Sequence, residues 1–466
     1  MPERLSSLDA SLLYSEQPIT PLQVGSVMIF TPGPHGFSYK SLLDLVGVHL
    51  AEVPRYRQRV REVPGRIAAP LWIDDDQFDV QYHVRRSALP RPGTVTQLEE
   101  FVARIQARPL DRDRPLWELY LVEGLERGRF ALVTKSHQAL VDGRNAVDLA
   151  QLLIDADPTR AVGPAPQSRS VRAPSDIELF ANAALDVARS PGAALRGVRQ
   201  AATGVGLVAA QALSVMGGAA GLLARSVSRP APQSPLNRPV GARRRYVMVE
   251  SELGRYQAVR NRLLADADDL VTVHAVVLAT ITGALRAWLM TRGEGMSGTA
   301  KIRALVPLGF EAQDGGAGVV PCFVDLPVGE PAPMMRVRQI AYDLQQQVQG
   351  GTSARALMGL SGLAPPTFHV LGSRLGSAVS RRMFNVVITN VPGPQQPLYL
   401  ADAEMMGVYP VIPLTRNRAL AIGLTSYNAK VCFGLNGDRE AMPDLELFGQ
   451  FIEDALTELA HEGAAR

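Results

Sequence analysis

Between Asp157 and Arg245 the composition of the chain shifts abruptly. "DPTRAVGPAPQSRSVRAPS" and "SRPAPQSPLNRPVGARRR" are rich in proline, serine and arginine, and they bracket a helical stretch dominated by alanine and glycine. Tracts of this kind connect cores rather than build them. The chain therefore divides into a first structured part, residues 1–160, a linker, 161–235, and a second structured part, 236–466. Its length of 466 residues makes two cores the expectation in any case.

The 46% apolar and 20% charged fractions are those of a globular protein. The net charge of +3 is carried by arginine, since lysine occurs only at Lys40, Lys135, Lys301 and Lys430. Acids balance the arginines and no basic cluster is interleaved with aromatics, so no nucleic-acid partner is expected. Cys322 and Cys432 give neither metal spacing nor a disulfide framework. The tri-aspartate Asp74–Asp76 is a weak metal signal, and no metal is expected. "MPERLSSLDASLLYSEQ" lacks the basic-then-apolar order of a secretory signal, and the compartment reads as cytoplasmic. Residues 200–224 carry no charge and are long enough to span a bilayer. Their alanine, glycine, Gln200, Thr203, Gln211 and Ser214 fit a helix packed on protein or lying on a lipid surface better than a span.

Both structured parts mix strand and helix patterns, an α/β (α+β) class. "LQVGSVMIFTPG" and "FDVQYHVRRSALP" read as strands, with His83 packed in the core, and "TQLEEFVARIQARPL" as a helix. "RDRPLWELYLVEGLERGRF" reads as a hairpin about a glycine turn. The arginines of "PRYRQRVR" (Arg55, Arg57, Arg59, Arg61) alternate as on a strand with a solvated face. In the second part a strand-to-helix unit, "YVMVESELGRYQAVRN", precedes the helix "VTVHAVVLATITGALRAWLMTRG". Strands follow at "IRALVPLGF", "FNVVITNVPGP" and "KVCFGLNGD", then a terminal helix, "DLELFGQFIEDALTELAHE".

One junction carries chemistry. "GRFALVTK" is a short strand, "RNAVDLAQLLIDAD" has helical spacing, and "SHQALVDG" joins them. A polar loop between a strand and a helix presents side chains on a rigid base. His137 has the pKa range of a general base, and Asp142 with Gly143 suits a capped helix start behind a tight turn. On the residues alone, a buried histidine ahead of a capped helix is the favoured reading, since one histidine in a loop is a weak signal.

Longer segments carry a family signature: "LSSLDASLLYSE" (5–16), "PLWIDDDQFDVQYHVRRSALPRPG" (70–93), "PLDRDRPLWELYLVEGL" (109–125), "SPLNRPVGARRR" (234–245), "TNVPGPQQPLYL" (389–400) and "SYNAKVCFGLNGD" (426–438). In these the chain resembles the bacterial wax ester synthase/diacylglycerol acyltransferase family along its whole length. The resemblance implies a two-domain fold of the CoA-dependent acyltransferase type, with a tunnel between the halves. It implies transfer of an acyl group from long-chain acyl-CoA, as co-substrate, to diacylglycerol or a long-chain alcohol, with no cofactor. A membrane or lipid-droplet surface is the implied partner, and a peripheral location on it follows.

The family motif is two adjacent histidines, three variable residues and Asp-Gly. Aligned on Asp142-Gly143, it falls on His137 and Gln138, so the second histidine, the family's base, is glutamine here. A glutamine amide orients a hydroxyl but takes no proton at neutral pH. The family's Asn-Asp pair in the second half falls on His274-Ala275, which makes His274 a candidate relocated base. Pro115, Leu116 and Trp117 match a family motif, and with Asn390, Pro392 and Gly393 they are candidate substrate-binding residues. "VPLGFEAQ" (306–313) departs from the family's serine-containing strand end. The resemblance thus implies an O-acyltransferase of neutral-lipid synthesis. The alternatives are a catalytically impaired homologue that binds lipid or acyl-CoA, and a transferase with a carrier-protein donor or a different acceptor.

Overall fold

The computed structural model describes residues 3–5, 7–63, 69–141, 149–157, 231–265, 270–311, 317–349 and 383–462. Asp142, Gly143 and residues 200–224 lie outside them. The first part comprises β1 (Glu3–Arg4), α1 (Ser7–Ser15), β2 (Gln23–Thr31), α2 (Tyr39–Glu52), β3 (Gln58–Arg61), β4 (Leu71–Asp74), α3 (Val80–His83), β5 (Val84–Ala88), α4 (Val95–Gln106), β6 (Trp117–Glu123), β7 (Phe130–His137), α5 (Gln138–Val141) and α6 (Leu149–Leu153). The second comprises β8 (Arg244–Glu252), α7 (Leu253–Ala265), α8 (Val273–Thr291), β9 (Ile302–Glu311), β10 (Ala317–Leu326), α9 (Pro333–Gln349), β11 (Val386–Pro392), β12 (Tyr399–Leu400), β13 (Ala403–Val411), β14 (Leu420–Tyr427), β15 (Lys430–Asp438) and α10 (Leu445–Glu462).

These strands build two six-stranded sheets. The first has the order β12-β13-β2-β7-β6-β5 and the second β10-β9-β11-β14-β15-β8, with a small β1-β4-β3 sheet beside the first. The first sheet borrows two strands from the second part of the chain: β13 pairs antiparallel with β2, from Glu404 opposite Thr31 to Val411 opposite Gly25. The two halves therefore share a sheet as well as a linker.

Period-two alternation divides the first sheet's faces. Met28, Phe30 and Leu132 point to one side, where Leu42, Val46 and Leu50 of α2 cover them. Val27, Ile29 and Val133 point to the other, where α4 and the second half's Tyr246, Val411 and Cys432 meet them. α4 starts at a complete capping box, Thr94 accepting from the Gln97 N–H while the Gln97 side chain accepts from the Thr94 N–H. In the second half α8 is apolar all round and long enough to cross a membrane, yet it lies inside the core, with Trp288, Ile281 and Leu285 unexposed.

Two local expectations are corrected. The segment read as one strand through "FDVQYHVRRSALP" opens with the helical turn α3, capped by Asp79, and becomes a strand only at Val84. His83 is buried in the core as expected, its ring stacked on Trp117 at 4.6 Å. The arginines at 55–61 do not alternate along one strand, because Pro54–Arg57 is a 3-10 turn and only Gln58–Arg61 is extended. Nor do they form a solvated face: Arg55 lies over the Trp72 ring and Arg57 over Phe78.

Candidate active site

β7 runs without a break through His137, and the helical turn α5 begins at the next residue, Gln138. As far as Val141, the joining segment is thus buried strand and helical turn rather than a polar loop. His137 and Gln138 are 2% and 0% exposed. Backbone bonds fix the turn on both sides: the His137 N–H donates to Leu116 O at 2.9 Å and the Gln138 N–H to Leu22 O at 3.0 Å.

The His137 ring completes the turn. Its Nδ1 accepts the Ala139 N–H at 3.0 Å, satisfying one of the donors that a helix start leaves open. In the neutral ring the proton then resides on Nε2, which faces Glu16 Oε1 at 3.7 Å. Glu16 is itself held, Oε1 by the Leu22 N–H at 3.0 Å and Oε2 by Arg112 Nη2 at 2.6 Å. Burial drives the imidazole pKa down to about 4, the Glu16 charge opposing and Arg112 adding to the shift. His137 is neutral at physiological pH, and its one lone pair is committed to the backbone.

Sequence reasoning missed Glu16 and Arg112. Both lie in stretches that carry the family resemblance, but 96 positions separate them, and no local pattern signals such a pair.

Pro115, Leu116 and Trp117 lead into β6 and are buried. Trp117 donates from Nε1 to Tyr56 O at 2.7 Å and is sandwiched against His83. Full burial of a side chain of this size contributes roughly 1.5–3 kcal/mol or more to the first core. Ser136 of β7 opposes Trp117, so this motif and His137 sit on adjacent strands.

The remaining candidates cluster in the second half. His274, one residue inside α8, and Asn390 of β11 are joined by an Nδ1···Nδ2 contact of 2.6 Å. Burial lowers the His274 pKa to about 4. Neither histidine hydrogen-bonds or ion-pairs with the other's group among the described residues. Pro392 is exposed at the end of β11. Gly393 follows with its N–H on Ser426 Oγ at 3.2 Å, and a Cβ there would fall 2.3 Å from Ser426 O, so only glycine fits.

A cavity of about 250 Å³ lies where the two parts of the chain meet. Met28, Met405, Leu398 and Tyr427 give it apolar walls, and Gly393 and Ser26 are among the other residues that line it. Ser26 ties the cavity to the motif strand, its N–H donating to Thr134 Oγ1 at 2.9 Å, three residues before His137. Among the described residues no group of three or more His, Cys, Asp or Glu is placed to hold a metal ion.

Comparison with known proteins agrees with this architecture. Residues 5–271 match the wax ester synthase/diacylglycerol acyltransferase catalytic domain and residues 317–460 the C-terminal domain of the same family. The chain is 45% identical over 271 residues to the probable diacylglycerol O-acyltransferase tgs3 of Mycobacterium tuberculosis, covering 57% of this chain and 98% of that one. It is 34% identical over 468 residues to the probable diacylglycerol O-acyltransferase tgs2 of the same organism, covering 97% of each. Among solved structures, the wax ester synthase/diacylglycerol acyltransferase from Marinobacter aquaeolei VT8 superposes with a TM-score of 0.72 at 27% identity, over 99% of this chain and 100% of that one. The starter condensation domain of rhizomide synthetase RzmA, solved with C8-CoA and Leu-SNAC, shares the fold at 13% identity and a TM-score of 0.56, over 98% and 94%. By sequence over both domains and by fold, this chain belongs to the wax ester synthase/diacylglycerol acyltransferase family.

Proposed function

We propose that the protein is an acyl-CoA-dependent O-acyltransferase of neutral-lipid synthesis, acting on diacylglycerol or a long-chain alcohol. The observation that carries this reading is the match of residues 5–271 to the family's catalytic domain, with His137 and Gln138 at a buried strand-to-helix junction. In the reaction the acceptor oxygen forms a bond to the thioester carbonyl carbon, the C–S bond breaks, and the hydroxyl proton ends on the CoA sulfur. The thioester is already activated, so the chemistry calls on no further cofactor.

His137 serves this reaction by holding the turn. A histidine whose pKa lies near 4 and whose Nδ1 accepts a backbone N–H is a poor base at neutral pH. Gln138, at the family's base position, orients the acceptor hydroxyl by hydrogen bonding. Rate then comes from holding hydroxyl and thioester together in a site that excludes water, for which effective molarities of about 10⁵ M and above provide the scale. The apolar cavity beside the motif strand takes the acyl chain. Because acceptor and product are insoluble, the enzyme works as a cytoplasmic protein peripheral to a membrane or lipid-droplet surface.

The impaired-homologue reading is not favoured: relatives up to 45% identical bear acyltransferase names, so the reading preferred here is the active one. The deciding experiment is CoA release from palmitoyl-CoA with and without dioleoylglycerol, for the wild type and Gln138→His. Acceptor-dependent release by the wild type is expected. A silent wild type awakened by Gln138→His overturns the active reading in favour of a binding role.

A further inference from the structure

Beside the motif, the buried side chain of Gln23 has no hydrogen-bond partner among the described residues. Gln23 opens β2 directly opposite His137, and residues opposed in an antiparallel pair project to the same face. Its position is fixed, because the preceding residue, Leu22, accepts the Gln138 N–H and donates its own N–H to Glu16. Yet Gln23 is 2% exposed, and neither its amide oxygen nor its amide nitrogen has a hydrogen-bond partner among the described residues. On β7 the Ser136 hydroxyl, 3% exposed and opposite Val24, is likewise unpartnered among the described residues. Further along the two strands Ser26 is matched with Thr134, and Lys135 with Glu118.

A buried amide with both ends unmet destabilises a fold, and such groups collect where a site is built for something else to meet them. An amide is both donor and acceptor. The reacting pair in the proposed function offers the complement of each: a thioester carbonyl oxygen that accepts and an acceptor hydroxyl that donates.

We propose that Gln23 is a substrate-contacting catalytic residue, its NH₂ donating to the thioester carbonyl oxygen and its C=O accepting from the attacking hydroxyl. This rests on the acyltransferase reading. As the C–O bond forms, negative charge grows on the carbonyl oxygen and the hydroxyl becomes more acidic, so both bonds strengthen on the way to the transition state. The C–S bond then breaks and the hydroxyl proton passes to the CoA sulfur. Gln23 acts on kcat rather than on donor binding, and it partly fills the place left by the histidine-to-glutamine change at position 138.

The test is Gln23→Met, which keeps length and apolar volume but removes both polar ends, assayed with palmitoyl-CoA and 1-decanol. Expected are a kcat loss of about 100-fold, the scale for one donor to a developing oxyanion, a KM for palmitoyl-CoA within about twofold of wild type, and a raised Tm. A structural role for Gln23 would lower Tm instead. A kcat within about threefold of wild type, or a kcat loss that follows a fall in Tm, overturns the proposal. If Gln23→Met does not fold, Gln23→Asn draws the same amide back by one methylene and is expected to lower kcat at unchanged KM; unchanged kcat overturns the proposal. If the wild type releases no CoA with either 1-decanol or dioleoylglycerol, the acyltransferase reading fails, and Gln23 is then judged by binding. A Tm rise with 1-decanol in the wild type that Gln23→Asn lacks upholds the contact, and equal responses overturn it.

Discussion

Replacing His137 by alanine and by asparagine separates a ring that holds the turn from a ring that moves a proton. Alanine removes the Nδ1 acceptor and strands the Ala139 N–H in a site where the surrounding residues are 0–3% exposed. An unmet buried donor costs about 1–3 kcal/mol. Truncating a buried side chain of this size costs roughly 2–5 kcal/mol more. The sum, about 3–8 kcal/mol, is a large fraction of the 5–15 kcal/mol by which domains are ordinarily stable. Asparagine places its side-chain oxygen near the position of Nδ1 and is a good cap, so His137→Asn should stay within about 1–2 kcal/mol of wild type. Denaturant unfolding measures stability, and acceptor-dependent CoA release measures turnover. We expect His137→Ala to lose both and His137→Asn to retain both, with activity within about tenfold of wild type. An Asn variant as stable as wild type but more than about 100-fold slower would refute the capping argument and make the ring a proton carrier.

Three further outcomes follow from the same geometry. Gly393→Ala drives a Cβ to 2.3 Å from Ser426 O, so urea unfolding should show a loss of roughly 1–3 kcal/mol, and an unchanged midpoint would contradict the close approach. Met28→Trp fills the cavity between the two parts of the chain and should shift preference from palmitoyl-CoA to octanoyl-CoA by at least about tenfold in kcat/KM; an unchanged ratio would place the acyl chain elsewhere. Acid should destabilise the fold between pH 6.5 and 4, because His137 and His274 stay neutral in the folded state while their unfolded counterparts take up protons. Each contributes about 3 kcal/mol over that window, from 2.5 pH units at about 1.36 kcal/mol each. Glu99, whose burial lifts its carboxyl to about 7, has the opposite sign and regains stability as pH falls from 7 towards 4.5. Urea midpoints at pH 7.5 and 4.5 should therefore fall more steeply with acid in Glu99→Gln than in wild type, and parallel curves would count against this assignment.

Most of the architecture was legible in the residues because it rests on local periodicity. The apolar, partly β-branched run of "QVGSVMIF" makes β2, the apolar run from Val273 to Thr291 makes α8, and the helical spacing of "TQLEEFVARIQ" makes α4. The family was equally legible, since its signature lies in contiguous stretches. The motif pair His137-Gln138 could be found by its spacing to Asp142-Gly143, and so could the loss of the second histidine.

Their roles could not be found that way. Whether His137 accepts a proton or a backbone N–H depends on where the Ala139 amide points, and its pKa depends on how completely the site is buried. The Glu16–Arg112 pair behind it joins positions 96 apart, and Gln23 reaches His137 only through the pairing of β2 with β7. β12 and β13 belong by sequence to the second part, yet they complete the first sheet, because β2 offers an open edge that only strands from elsewhere can cover. Sequence by itself determined the elements and the family, whose signals lie within a few residues of one another. Tertiary structure alone decided which buried polar groups are satisfied and which are not, because hydrogen bonding and desolvation are set by neighbours that the chain brings together only on folding.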